Sequence, residues 1–132
     1  MEGEVNLNNI LKNLNPVLNE GKYVYCTVDH IDDILFSKVL FLFKETESIT
    51  VVVKKEDAEE LNLSFSYVAS WITLEIHSSL SAVGLTAKFS QALSDAGISC
   101  NVVAAYFHDH IFVDEKDTTQ AIKVLNALKR MG

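Results

Sequence analysis

His77, His108, Asp109 and His110 are the residues whose types most readily suggest chemistry. Imidazole and carboxylate donors suit zinc and other divalent ions. On a regular strand His108 and His110 point to the same face. Two features oppose a metal centre. The "FHDH" run falls where a hairpin must turn, and aspartate favours turns because its side chain bonds its own backbone. The "HDH" triplet also lacks the longer second spacing of zinc signatures. A polar hairpin tip, or a hydrogen-bonded contact to a partner unit, is the preferred reading. Metal ligation by these four residues is the weaker alternative.

Other reactive constellations are absent from the sequence. It contains no G-x-S-x-G elbow and no G-x-x-x-x-G-K phosphate loop. Cys26 has His30 four residues on, but nearness in sequence does not make a nucleophile pair. His30, beside Asp32 and Asp33, reads as solvated loop, and Glu45 and Glu47 flank a turn as plain surface. No catalytic residue and no cofactor are expected, so the chain reads as non-enzymatic.

The stretch "HSSLSAVGLTAKFSQAL", residues 77–93, joins a strand-like run to a helix-like one through small residues and one glycine. A helix N-terminus offers unpaired N–H groups and partial positive charge. A small-residue lead-in lets an anion approach them. Ser79, Ser81, Ala82, Gly84, Leu85 and Thr86 make such a lip, suited to the carboxylate of a free amino acid. The side-chain oxygen of Asn101 could accept from its ammonium. The alternative is that Gly84 only permits a tight turn and the serines only cap the helix. Both readings stay open on the residues alone.

The elements that must position these residues are limited by size. The chain has 132 residues, 48% of them hydrophobic, which suits one compact domain or two very small ones. Its net charge is -7, against a nucleic-acid partner, which would need a Lys/Arg patch. No apolar run approaches the ~20 residues that span a bilayer, so no membrane association is expected. The acidic, polar start "MEGEVNLNN" does not resemble a secretory signal. Cys26 and Cys100 are therefore expected as free thiols in the cytoplasm.

Leu7, Ile10, Leu11 and Leu14 form one helical face before Pro16. "KYVYCTV", "LFLFKE" and "ITVVVKK" read as strands, the last two joined by a "TES" turn, and "EDAEELN" as a short helix. "HIDDILFSKV" fits no pattern. "SFSYVASWITLEIH" is too long for one ordinary strand and is expected to break near Ala69–Ser70. Phe65, Tyr67 and Trp71 alternate along it and should share a face, the contact between the halves. Leu85, Phe89, Ala92, Leu93 and Ala96 repeat at helical spacing, with Gly97 as a C-cap. "SCNVVAAY" and "HIFV" are strands with "FHD" between them. "DTTQAIKVLNALKR" is a helix burying Ala121, Leu125 and Leu128, with Asp117 and Gln120 as a capping pair.

The halves share a plan. Val53 and Val113, and Asp57 and Asp117, are each 60 residues apart (113−53 and 117−57), and Glu60 and Gln120 follow the aspartates at the third position. A glycine before a strand also recurs, at Gly21 and Gly97. An internal duplication explains the coincidences. Units of ~60 residues bury only about 60% of their surface alone, so two should pack together.

The run "WITLEIHSSLSAVGLTAKFSQALSDAGISCNVVAAYFHDHIFV" resembles ACT domains, in which a strand leads through a small glycine-bearing joint into a helix and then a second strand. It is most similar to small stand-alone bacterial proteins with two ACT-like halves, of unestablished function. The resemblance is specific over residues 71–131 and loose over 1–70. It implies an α+β fold of two ferredoxin-like (βαββαβ-type) units, antiparallel sheets with helices on one face. Unit 1, residues 1–70, would lack its first strand, and unit 2, residues 71–132, its last. It implies sensing or assembly rather than chemistry: a regulatory module binding a small molecule, with an amino acid favoured, as a homodimer or larger homo-oligomer. In ACT domains the joint commonly faces the second strand of a neighbouring unit, so Asn101 and Val102 would line the pocket across an interface. Val102 and Val103 stand where aspartate-kinase-type pockets often have an acidic residue, which argues against lysine as the ligand. A pure protein-interaction module is the rival.

Overall fold

The computed structural model describes residues 6–75 and 83–131. The chain divides into two compact units, one of residues 20–69 and one formed by residues 1–19 together with 70–132. Each has an antiparallel sheet with helices on one face.

The unit of residues 20–69 contains strand β2 (Tyr23–Val28), helix α2 (Asp33–Lys38), strands β3 (Val39–Lys44) and β4 (Ile49–Lys54), and helix α3 (Lys55–Glu60). It ends on the first residues of strand β5 (Val68–Glu75). The sheet order is β3-β4-β2-β5, with Val24 opposite both Val53 and Val68. Period-two alternation turns Val24 and Cys26 of β2 and Val51 and Val53 of β4 to one side. There they meet Leu35 of α2 and Ala58 of α3 in one buried cluster. The element order is therefore βαββαβ, with β2 as first strand.

The segment "HIDDILFSKV" resolves here as α2. Asp32 caps it, its side chain accepting from Leu35 N at 2.8 Å. Periodicity missed the helix because it buries only Leu35 while Ile34 and Phe36 are exposed.

The other unit opens with helix α1 (Leu7–Lys12) and strand β1 (Asn15–Leu18). It continues after Ser70 with the rest of β5, helix α4 (Leu85–Asp95), strands β6 (Asn101–Ala104) and β7 (Asp109–Asp114), and helix α5 (Thr118–Arg130). The residues from 70 onward supply three strands, β5, β7 and β6. The fourth is β1, antiparallel to β5 with Pro16 opposite Leu74. Ile10, Leu11 and Leu14 pack with Ile72 and Leu74 of β5, Phe89 and Leu93 of α4, Ile111 and Val113 of β7, and Leu125 of α5.

Helix α4 ends as its sequence predicts. Gly97 has φ +75, Ile98 N donates to Leu93 O and Gly97 N to Ser94 O, both at 2.9 Å. This is a Schellman cap, and Ile98 is buried with Leu93 in the core.

Four expectations need correction. The described part of the 64–77 stretch, residues 64–75, does not form two strands: β5 begins only at Val68 and runs unbroken to Glu75. Phe65, Tyr67 and Trp71 therefore share no strand face. Phe65 packs on the core of the residue 20–69 unit, and Tyr67 lies edge-on to Tyr25. Asp117 makes no side-chain cap, because a 3-10 turn, Glu115–Asp117, intervenes and is capped by Asp114 through Lys116 N. The two glycines are not equivalent, since Gly21 precedes the first strand of its unit, whereas Gly97 precedes β6, which follows β1, β5 and α4 in the other. The 60-residue offset itself holds for β4 and β7, which span 49–54 and 109–114.

Candidate functional site

Helix α4 begins at Gly84, whose φ of +100 is left-handed and which supplies no side-chain cap. Lys88 N, bonded to Gly84 O at 3.0 Å, is the first amide satisfied within the helix. The geometry of a helix start turns the Leu85, Thr86 and Ala87 amides outward along the axis. A Cβ on Gly84 would meet Leu7 Cδ2 at 3.2 Å, so α1 walls this corner and only a residue without a side chain fits well. Leu85 is buried in the core and offers its backbone alone, whereas Thr86 is exposed. Ser79, Ser81 and Ala82, expected in the same lip, lie outside the described residues, as does His77.

Asn101 opens β6 opposite Phe112 of β7 and donates from Nδ2 to Phe112 O at 3.2 Å. That bond uses an amide N–H rather than the Oδ1 acceptor. Phe112 stacks on Trp71, so Asn101 is level with the Trp71 end of β5 and not with Glu75, after which the chain leads to α4. One chain therefore does not bring Asn101 to the Gly84 corner. Val102 faces the other way, half-buried against the helix-side core, so a ligand on Asn101's face meets it only through its backbone.

Of the histidine segment, Phe107 and His108 lie in the hairpin turn as expected, whereas Asp109 and His110 already belong to β7. The hairpin turns over residues 105–108, closed by Ala105 N to His108 O at 3.0 Å, while Asp109 pairs with Ala104 and His110 with Val103. His110 is tied into the sheet. Its Nδ1 accepts from Trp71 Nε1 at 3.0 Å and lies 3.1 Å from Thr73 Oγ1. Thr73 Oγ1 in turn accepts from Asn19 Nδ2 at 2.8 Å. Burial, with His108 adding to it, lowers the His110 pKa below its ordinary value. Burial raises that of Asp109.

An Nδ1 that accepts from an indole, which can only donate, leaves the ring proton on Nε2. Neither nitrogen of His110 then presents a lone pair to a cation. Among the described residues no group of three or more His, Cys, Asp or Glu side chains could hold a metal. Sequence reasoning singled out Trp71 and His110 separately and missed Thr73 and Asn19. The i, i+2 spacing of Trp71 and Thr73 was the available signal. Cys26 and Cys100 are free thiols, and burial pushes Cys100 up to about 11. Among the described residues no helix is long and apolar enough to cross a membrane.

Comparisons with known proteins agree with this architecture. The ACT domain family model matches residues 2–70, and a second ACT domain model matches 66–127. A Vibrio cholerae protein of unknown function, described as a possible transport protein, is 40% identical, with 93% of this chain and 95% of that chain covered and a TM-score of 0.85. The regulatory subunit of aspartate kinase from Thermus thermophilus shares the fold at 10% identity, covering 86% and 95% of the two chains, with a TM-score of 0.59. Clostridium acetobutylicum aspartate kinase does so at 10% identity and a TM-score of 0.62, over 90% of this chain and 34% of that one. A search of curated proteins found no match. Two tandem ACT models, the relative that is 40% identical and the two antiparallel helix-backed sheets together establish that the chain belongs to the ACT domain family.

Proposed function

We propose that this protein is a non-catalytic regulatory module that binds a small molecule, an amino acid by preference, at the corner where Gly84 opens α4. The observation that carries the reading is that start: a left-handed glycine with no capping side chain at the head of α4, whose first-turn amides have no acceptor within the helix and suit a carboxylate. Family membership supports a sensing role, and the fold shared with an aspartate kinase regulatory subunit is in keeping with it. Because Asn101 and Gly84 are not level within a chain, an ammonium contact to Asn101 requires a second copy. The reading therefore includes a homodimer or larger homo-oligomer. It belongs in the cytoplasm, where free thiols such as Cys26 and Cys100 persist.

A thermal-shift screen over the twenty amino acids tests the proposal. Ligand at 100 times its Kd stabilises by about 2.7 kcal/mol, several degrees for a chain of this size. A flat panel removes the amino-acid reading. A second reading, a module for protein partners alone, is favoured by Leu85 and Phe89, whose buried side chains fill the core beneath the joint. It expects that flat panel.

A further inference from the structure

On the sheet face opposite the helices, a chain of hydrogen bonds crosses three strands' worth of backbone. Asn19, just past β1, donates to Thr73 of β5, and Thr73 and Trp71 of β5 converge on Nδ1 of His110 in β7. Asn19 is itself anchored, its backbone N donating to Trp71 O at 2.9 Å. Thr73 is buried, and Trp71 is stacked on buried Phe112, with 6.4 Å between ring centroids and 15° between planes.

The donors are unequal in what they tolerate. A threonine hydroxyl can turn and accept instead, but an indole N–H can only donate. A proton on His110 Nδ1 would set two N–H groups against each other with no rearrangement available to Trp71. We propose that this cluster is a proton-sensitive tie, closed while His110 is neutral and opened at the Trp71 contact when His110 takes up a second proton.

The surroundings favour that behaviour. Among the described residues of this unit, the titratable groups on the same face are His108 in the turn before β7, with ring centroids 6.4 Å from His110, Asp114 at the far end of β7, where it accepts from Lys116 N, and Glu75 on β5, held by Asn15 at 3.1 Å. Asp109 lies on β7 itself, one residue away and so on the alternate face. Neither β6 (Asn101–Ala104) nor β1 (Asn15–Leu18) carries a titratable side chain. His108, the nearest of these groups, opposes a second proton on His110, adding to burial in lowering its pKa. Opening would loosen β5 from β7, the strand to which Asn101 is bonded. The tie stands whether or not an amino acid is the ligand.

Trp71 is the only tryptophan of the chain, so its indole N–H gives one identifiable signal. The test is a pH titration of the full chain by proton–nitrogen NMR, following that indole and the His110 ring nitrogens. The expected result is the Nε2–H form at neutral pH, a midpoint below that of free histidine, and indole movement with the same midpoint. Trp71→Phe, which keeps a ring but removes the donor, should move the His110 midpoint up toward free histidine. An indole signal that stays fixed while His110 titrates would overturn the proposal. So would a His110 midpoint at or above the free value, or one unchanged in a folded Trp71→Phe variant. If that variant fails to fold, the wild-type titration decides alone.

Discussion

Pro16 lies directly opposite Leu74 across an antiparallel strand pair, so a segment at the start of the chain is the outer strand of a unit whose other three strands follow residue 70. Proline suits that place, because a strand bonded on one side need not offer every N–H. Along the sequence the two ACT matches meet near residue 70, yet Ile10, Leu11 and Leu14 bury themselves in the core of the second. Residues 7–18 therefore complete the part of the chain farthest from them in sequence.

That dependence gives the first prediction. A chain starting at residue 20 should lose the dispersed NMR signals of residues 70–131, and a peptide of residues 6–19 added back should restore them. Leu14→Ala should cost about 2–5 kcal/mol in urea unfolding, the range for a fully buried leucine. Leu18→Ala, exposed at the end of β1, should stay within roughly 0.5 kcal/mol.

Gly84 and Gly97 are both left-handed, but they differ in their neighbours. A Cβ at Gly84 meets Leu7 at 3.2 Å, while at Gly97 nothing lies within 4 Å. Each alanine variant should pay the backbone strain of about 1–2 kcal/mol. Gly84→Ala should lose more than Gly97→Ala, by urea melts run side by side.

Asp109 and His110 give opposite pH slopes. The raised Asp109 pKa means that the fold holds its proton more tightly than the unfolded chain does. Stability from this group is present below the unfolded carboxylate value of about 3.9 and is lost as pH rises through the folded one. Asp109→Asn should accordingly raise the melting temperature at pH 7 and lose that gain in acid. The lowered His110 pKa works the other way. Its contribution is present above about pH 6.5 and falls away as pH drops toward the folded value. Calorimetric melts of wild type and Asp109→Asn from pH 7.5 to 5 check both signs.

Helix α2 has only six residues and one buried side chain, so its cap matters. Asp32→Ala should destabilise by about 1 kcal/mol. Guanidinium unfolding of that variant beside Asp33→Ala, which leaves the cap intact, isolates the capping bond.

Legibility in the sequence followed how local each cause was. Helices α4 and α5 could be read because their apolar residues repeat every turn and each burial depends on one face. The Schellman turn at Gly97 could be read because a single glycine imposes it. β1 could not, since Pro16 reads locally as a stop, and its pairing partner, Glu75 for Asn15, is 60 residues away. Helix α2 was hidden by exposed Ile34 and Phe36. The Asp117–Gln120 motif misled because one 3-10 turn moved the helix start past the aspartate. At the candidate site, Gly84 stood out from its small-residue setting. The Trp71–His110 contact did not, because it depends on which strands are neighbours, and no local pattern states that.

The most direct test of the central claim is a nitrogen–proton NMR titration of the full chain with each of the twenty amino acids. The account predicts that at least one ligand saturably moves the Leu85 and Thr86 backbone amides together with the Asn101 side-chain amide. Leu85 and Thr86 amides unmoved by all twenty, or moved with Asn101 unaffected at saturation, would contradict it.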